Sequence, residues 1–345
     1  GFLSPAHDTI CLNIDANSLN LGFINRKLRN FVSDLNGTGN GKAKLHGSWR
    51  KLDLTGAITL DCSARVIPTN TTYYFSGDSL RFNPGEIVFR TIPIKDRRGN
   101  RGTIEGKVTH KNLSRWQCGL KATAYNLLMY DTHEFGNMPF YGNVFATGTV
   151  ELNSDDKGTF LKANLRSEPE SRFVYNSSDV GGVRDNSFVT FTDSNRKKPI
   201  TNDYSEQPRQ ATGHFDSKLN LDFQLDMQES MQLKVYTNLK TDDYIDLYGK
   251  GFLHAVYDEK DGFSMKGNLD LARGTYKFTV QDIFPKEFSI TKGSTLTFNG
   301  DPFEANLNLK TKYLVPSAQL GDLTTETSKR KTVKVNCLMD ITGTL

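Results

Sequence analysis

Apolar residues recur at every second position over most of the chain, and glycines or short polar turns separate the runs. In residues 263–302, FSMKGNLDLARGTYKFTVQDIFPKEFSITKGSTLTFNGDP, the series runs Leu269 and Leu271, then Tyr276, Phe278 and Val280, then Phe288 and Ile290, then Leu296 and Phe298. That is the period of strands with one greasy face. Gly274, Gly293 and Gly300-Asp301-Pro302 mark turns, because glycine reaches positive φ and proline cannot extend a ladder. The clearest strand is 219–227, where Leu219, Leu221, Phe223, Leu225 and Met227 alternate with Asn220, Asp222, Gln224 and Asp226. Met231, Leu233 and Val235, then Ile245 and Leu247, continue the pattern. Such a strand reaches roughly 30 Å. Adjacent strands of that length make a broad apolar plane, and a second sheet, the folded-over half of the same sheet or a ligand would each cover it.

The offsets repeat. Residues 47–83 read G-x-x-x-x-L-x-L-x-G-x-I-x-L and end in YYFSGDSLRFN, so Leu54, Gly56, Ile58 and Leu60 correspond to Met265, Gly267, Leu269 and Leu271. A fainter copy at 145–152 sets Gly148 ahead of Val150. Repetition of one supersecondary unit predicts an extended, stacked sheet. The exception is 20–35, where Leu21, Ile24, Leu28, Phe31 with Val32, and Leu35 fall at helical spacing, with Asn20 as a cap and Asn36-Gly37 as a stop. This predicts one short amphipathic helix, suited equally to plugging the sheet and to ordinary core packing. Residues 192–214 hold almost nothing apolar and read as a mobile loop or linker; 321–331 are similar. The chain therefore divides into 1–191, 192–214 and 215–345.

Charge changes this picture little: 43 Lys plus Arg against 39 Asp plus Glu leave +4, spread along polar strand faces. No nucleic-acid surface follows. The one dense basic run, KDRRGNR at 95–101, reads as a solvated turn, with anionic lipid head groups as its alternative contact. No stretch of about 18 apolar residues crosses a bilayer as a helix. The start at GFLSPAHD and the end just after the alternating Val333, Val335, Cys337, Met339 and Ile341 suggest a segment cut from a longer, anchored protein.

Candidate chemistry is sparse. Cys11, Cys62, Cys118 and Cys337 are spaced too far apart for a zinc motif; Cys62 and Cys118 lie in register with apolar neighbours and read as small buried hydrophobes, with disulfides left open. The six histidines share no ligand spacing, and His133-Glu134 reads as a polar turn. Asp258-Glu259 and Asp261-Gly262 look at first like a carboxylate pair, but YDEKDG is a hairpin turn. Gly37, Gly39 and Gly41 precede a strand and no helix, so a phosphate loop fails on context. We therefore expect no catalytic residues, no cofactor and no metal: this is not an enzyme.

The run FSITKGSTLTFNGDP at 288–302, followed by FEANLNLKTKY, resembles the heart of the TamB family, the translocation and assembly module subunit of diderm bacteria. GTGNGKAKLHGSW, LTGAITL, IPTNTTYYF with DSLRFN, IPIKDRRGNRGTIEGKVTH and FYGNVFATGTVEL agree, so the resemblance covers most of the chain. It implies an all-β fold, an elongated curled sheet forming a half-pipe or taco-like groove with a hydrophobic interior. On that footing 1–191 and 215–345 are its N-terminal and C-terminal parts. It also implies the periplasmic portion of an inner-membrane-anchored protein, similar to AsmA-like and bridge-like lipid-transfer proteins, and partnership with an outer-membrane barrel of the TamA type. The expected ligands are phospholipid acyl chains carried between the two membranes. The expected lining comprises Ile58, Leu60, Leu221, Phe223, Leu225, Leu233, Val235, Leu269, Leu271, Phe278 and Phe298. Two rivals stand beside it: a closed sandwich core in place of a groove, and an assembly factor whose sheet edges pair with nascent outer-membrane strands. An envelope-glycan enzyme would need an acid cluster on one sheet face, for which there is no candidate.

Overall fold

The computed structural model describes residues 2–4, 9–28, 31–48, 51–136, 138–177, 219–258, 260–280, 283–301, 304–319 and 332–344. Among these residues nineteen strands form one sheet. The first nine are β1 (Phe2–Ser4), β2 (Thr9–Asn20), β3 (Val32–Ser48), β4 (Lys51–Val66), β5 (Thr71–Asn83), β6 (Glu86–Lys95), β7 (Arg101–Lys111), β8 (Ser114–Thr132) and β9 (Phe140–Asp155). They make an antiparallel meander in which each strand pairs with its predecessor. Next come β10 (Gly158–Ser167), β11 (Arg172–Asn176), β12 (Leu219–Met227), β13 (Gln232–Asn238) and β14 (Asp243–Asp258). The last are β15 (Gly262–Val280), β16 (Phe284–Ile290), β17 (Ser294–Gly300), β18 (Asn306–Gln319) and β19 (Thr332–Thr344).

The meander is interrupted once. β10 and β11 lie end to end along β9, and β12 and β13 lie end to end beside them in parallel, Thr159 against Leu219 and Arg172 against Gln232. A parallel pair needs a long crossover. The polar stretch 192–214 belongs to that connection and lies outside the described residues, as do 321–331. β14 then runs antiparallel along both β12 and β13, so β9, β10, β12, β14, β13 and β11 close a ring of six strands, flanked on each side by the remaining strands.

A line of breaks crosses the sheet. In the C-terminal half it passes through 168–171, 228–231 and 291–293, and through the irregularity at Tyr248 and Gly249. It continues through register shifts in β8 and, staggered, at Phe89/Ile92 and Leu60/Asp61. Bulges bend a strand and sharpen its twist, so each long strand has two arms. One arm runs to the two- to five-residue turns after β3, β5, β7, β9, β14 and β17; the other runs to the connections after β2, β4, β6, β8, β13 and β15. These are called the short-turn arm and the long-loop arm.

The predicted helix over 20–35 is corrected. Leu21–Ile24 is a 3-10 turn and Asn25–Leu28 a single α-helical turn, after which Val32 enters β3 against Val66. Asn20 does cap the start, its side chain accepting from the Gly22 N–H at 2.8 Å. A helix this short has little stability of its own, and strand pairing takes the rest. The Asn25 amide donates to the Leu35 carbonyl at 3.0 Å and accepts from its N–H at 2.9 Å, while Leu35 is buried on the sheet face.

The basic run at 95–101 is a turn, as expected, but not simply a solvated one. Asp96 is buried; Oδ1 accepts from the Arg98 and Asn100 N–H groups at 2.8 and 3.0 Å, and Oδ2 from the Leu128 N–H at 2.9 Å. Arg97 pairs with the largely buried Asp131 at 3.0 Å, and Arg98 with Glu170 at 2.6 Å while its guanidinium lies 4.5 Å from the Phe145 ring centroid. The turn thus fastens onto the outside of the line of breaks, covering Leu128 and Phe145.

Candidate functional site

The strand registers align one apolar face over most of the sheet. A row next to the breaks reads Gly37, Cys62, Phe75, Ile94, Gly102, Ala124, Gly148, Leu165, Leu225, Leu253, Gly267 and Phe298, each paired with the next from β3 to β17. A second row farther out on the short-turn arm reads Phe89, Gly106, Leu120, Leu152, Leu161, Leu221, Tyr257 and Phe263. Neither row holds a charged side chain. In the first row Cys62, Ile94, Ala124, Leu165, Leu225, Leu253 and Phe298 are buried, whereas every member of the second is only half-buried. The face is therefore dry at the breaks and accessible toward the short-turn end. Four residues separate the rows along a strand, about 13 Å.

Glycine is required within these rows. Gly148 and Gly267 have φ of 148° and 147°, and a Cβ on either would sit 2.1 Å from a carbonyl of the adjacent strand, Asn164 or Phe252. Strands pinched this way bend where a side chain would prop them apart. The repeat noticed in the sequence has a matching register: Gly56 faces Phe82 as Gly267 faces Phe298, and Ile58 faces Leu80 as Leu269 faces Leu296. The residue paired with each of these two glycines on the next strand is a phenylalanine.

All eleven residues expected to line the interior lie on this face. Ile58 and Leu60 share it with Cys62 and are half-buried, as are Leu221 and Phe223; Leu225, Leu269, Leu271 and Phe298 are buried. On the long-loop arm, Leu233 aligns with Leu247 and Gly274, and Val235 with Ile245, Tyr276 and Phe288. Phe278 stacks on Phe288 at 5.5 Å, and Tyr313 follows at 5.3 Å. A second aromatic group, Tyr130, Phe140 and Phe173, has ring centroids 5.5 to 6.5 Å apart. Leu225, Leu269, Leu271 and Phe298 belong to one packed cluster with Phe223 and Leu233 at its margin. Phe89, Leu120, Leu152 and Leu161 were missing from the expected lining, although alternation marks their strands as well.

Polar chemistry on the face is limited. The four cysteines are free. Burial pushes the Cys62 thiol up, with the Asp61 carboxylate adding to it, and burial alone raises Cys118 to about 11, so both stay protonated at neutral pH. No group of three or more His, Cys, Asp or Glu side chains could hold a metal among the described residues. Asp258, suspected of a carboxylate role, accepts from the Lys260 and Asp261 N–H groups at 2.8 and 2.7 Å and so closes the β14–β15 turn. His254 and Asp222, 2.8 Å apart, are partly exposed.

Comparison with known proteins turns this arrangement into a family assignment. The family described as the TamB C-terminal domain matches residues 90–345, which take in both rows from Ile94 and Gly106 onward. The chain belongs to the TamB C-terminal domain family. No match was found among the curated proteins. TamB membership implies a role in outer-membrane biogenesis with the translocation and assembly module, association with TamA, and a place in the bacterial cell envelope. The TamB family is one of non-catalytic assembly and transport proteins. No helix among the described residues is long and apolar enough to cross a membrane.

Proposed function

We propose that the creased sheet is a half-pipe groove that shelters phospholipid acyl chains in the periplasm, between the inner and outer membranes. The observation that carries this reading is the uninterrupted apolar face, half-buried along the short-turn arm from Phe89 to Phe263 and dry at the breaks. Exposing an acyl chain of about 14 methylenes to water costs on the order of 11 kcal/mol at roughly 0.8 per methylene. A carrier across an aqueous gap must offset that cost at every point of the path, which needs continuity and no reactive group. Native mass spectrometry of the purified chain, with lipid extraction, tests it: co-purified phospholipid is expected, and a protein that stays lipid-free after exposure to phospholipid has a closed core and no groove.

A second reading is favoured by a separate observation. β19 pairs only with β18 among the described residues, leaving its outer edge open, and Leu338 on it is highly exposed. An open edge accepts another strand, so the protein would act with a TamA-type barrel as an assembly factor for outer-membrane strands. Crosslinks from β19 to strand backbones, with none from the apolar face to lipid, would favour this role over transport.

A further inference from the structure

The face of the sheet opposite the groove carries, on the long-loop arm, a band of aromatic rings and cations. Strand register builds it in rows. Arg172, Gln232, Tyr248 and Arg273 pair in series across β11, β13, β14 and β15, a span of about 14 Å at about 4.8 Å per strand. The next row outward is Val174, Lys234, Asp246 and Thr275, and Tyr236 and Tyr244 follow in the third. Phe135, from the β8–β9 connection, packs edge-on against Tyr141 at 4.7 Å and Tyr236 at 6.1 Å, and Tyr236 meets Tyr244 at 6.0 Å. Val174, on the same face, is fully buried; the tyrosines are half-buried, and Arg172 and Arg273 are exposed.

Three cations in this band lie on rings. The Arg172 guanidinium is 5.9 Å from the Tyr141 centroid, the Lys234 amine 4.5 and 3.7 Å from those of Tyr236 and Tyr244, and the Arg273 guanidinium 4.2 Å from that of Tyr248. None of the three forms an ion pair among the described residues. The other charges of these rows are Asp131, held by Arg97, Lys277, held by Asp242 with Glu287 opposite it, and the exposed Lys312. Asp246 sits between Lys234 and Thr275; its Oδ2 accepts from the Gln232 amide at 2.8 Å, while its Oδ1 is buried with no hydrogen-bond partner. A buried carboxylate oxygen left without a donor is costly. We propose that this band binds an acidic glycan, a chain of N-acetylated sugars that carries carboxylates. The negative faces of the tyrosine rings attract the polarised C–H groups on the flat side of a sugar. Arg172, Lys234 and Arg273 take the carboxylates, and Asp246 Oδ1 accepts from a sugar hydroxyl or amide N–H. A bare polyanion would meet repulsion at Asp246, and an acyl chain would find Val174 already covered and charges around it. Glycans of this class make up the wall of the bacterial envelope, the place family membership gives this chain. Bound there, the sheet would be held against the wall by the face that the groove does not use.

The glycan site is independent of the lipid groove, and its test runs on the 345-residue chain by calorimetric titration. Three probes are compared: soluble cell-wall glycan released by a muramidase, the neutral N-acetylglucosamine hexamer, and polyglutamate. Asp246→Asn keeps the acceptor for Gln232 and sets an N–H donor where the free oxygen stands. It should weaken cell-wall glycan at least about five-fold without weakening polyglutamate, because it also removes a negative charge. Arg172→Gln with Arg273→Gln should weaken cell-wall glycan at least about ten-fold and leave the neutral hexamer unchanged. Cooperative melting and the uptake of a fluorescent phospholipid should stay at the wild-type level in both variants. Failure of the wild-type chain to bind cell-wall glycan, or equal affinity of wild type and Asp246→Asn for it, would overturn the proposal. So would polyglutamate binding as tightly as glycan, which would mark an acidic-peptide or purely electrostatic surface, or an effect of the variants confined to binding of phospholipid vesicles, which would mark a membrane contact.

Discussion

Phe223→Arg, set against Phe252→Arg, tests the apolar face directly. Phe223 is half-buried at the margin of the packed cluster and flanked on its ladder by the buried Ala163 and Ala255. Phe252 is 50% exposed on the opposite face of the same region. Both substitutions add the same charge, so non-specific electrostatic effects cancel in the comparison. A guanidinium at 223 would stay hydrated by reaching toward the short-turn end and would deny apolar contact to about four methylenes of a chain lying across it. At about 0.8 kcal/mol each that is roughly 3 kcal/mol, or about two orders of magnitude in occupancy. Lipid per protein, read by native mass spectrometry and by crosslinking to a diazirine phospholipid, should fall accordingly for Phe223→Arg and hold for Phe252→Arg. Thermal melting should stay cooperative in both. Equal lipid retention in the two variants, or equal loss, would refute the assignment of this face as the binding surface.

Further outcomes follow from packing and burial. Leu269, fully buried beside Leu296, should lose about 3–5 kcal/mol of unfolding free energy as Leu269→Ala, whereas half-buried Leu54→Ala should lose clearly less, both read by urea denaturation. Asp96→Ala leaves the Arg98, Asn100 and Leu128 N–H groups without their acceptor and should cost about 1–3 kcal/mol, with faster hydrogen exchange localised at the 96–100 turn and the middle of β8. The Cys118 thiol has a folded-state pKa raised to about 11, so its charged form is disfavoured by folding: iodoacetamide labelling should accelerate mainly as pH approaches 11, and the associated stability, intact below the unfolded thiol pKa, should decline between about 9 and 11. Bound lipid should slow that labelling further, as followed by peptide mass spectrometry.

How far these features were legible in the sequence depends on whether they are local. Leu219, Leu221, Phe223 and Leu225 announce their shared face because side chains alternate across any strand, and no partner is needed to state it. The pairing of Gly267 with Phe298 was half-visible as a repeated offset, but β16 and the break at 291–293 lie between the two strands, so the register itself is set by the fold. Residues 20–35 misled for the same local reason: helical spacing there is real, but Leu35 gains more from the sheet face and from the Asn25 side chain than from a few turns of helix. The KDRRGNR run likewise hid Asp96, whose Leu128 partner comes from a different strand.

The sequence by itself determined an all-β chain with one apolar face, because period-two alternation and glycine spacing act within a strand or between immediate neighbours. Only the tertiary structure decided which part of that face is dry and which stays accessible. Leu221 and Leu225 have the same chemistry and the same orientation on β12, yet one is half-buried and the other buried. Their difference lies in distance from the line of breaks, which is assembled from bulges and turns on strands far apart in the chain. Burial depends on what covers a side chain, and that cover is non-local.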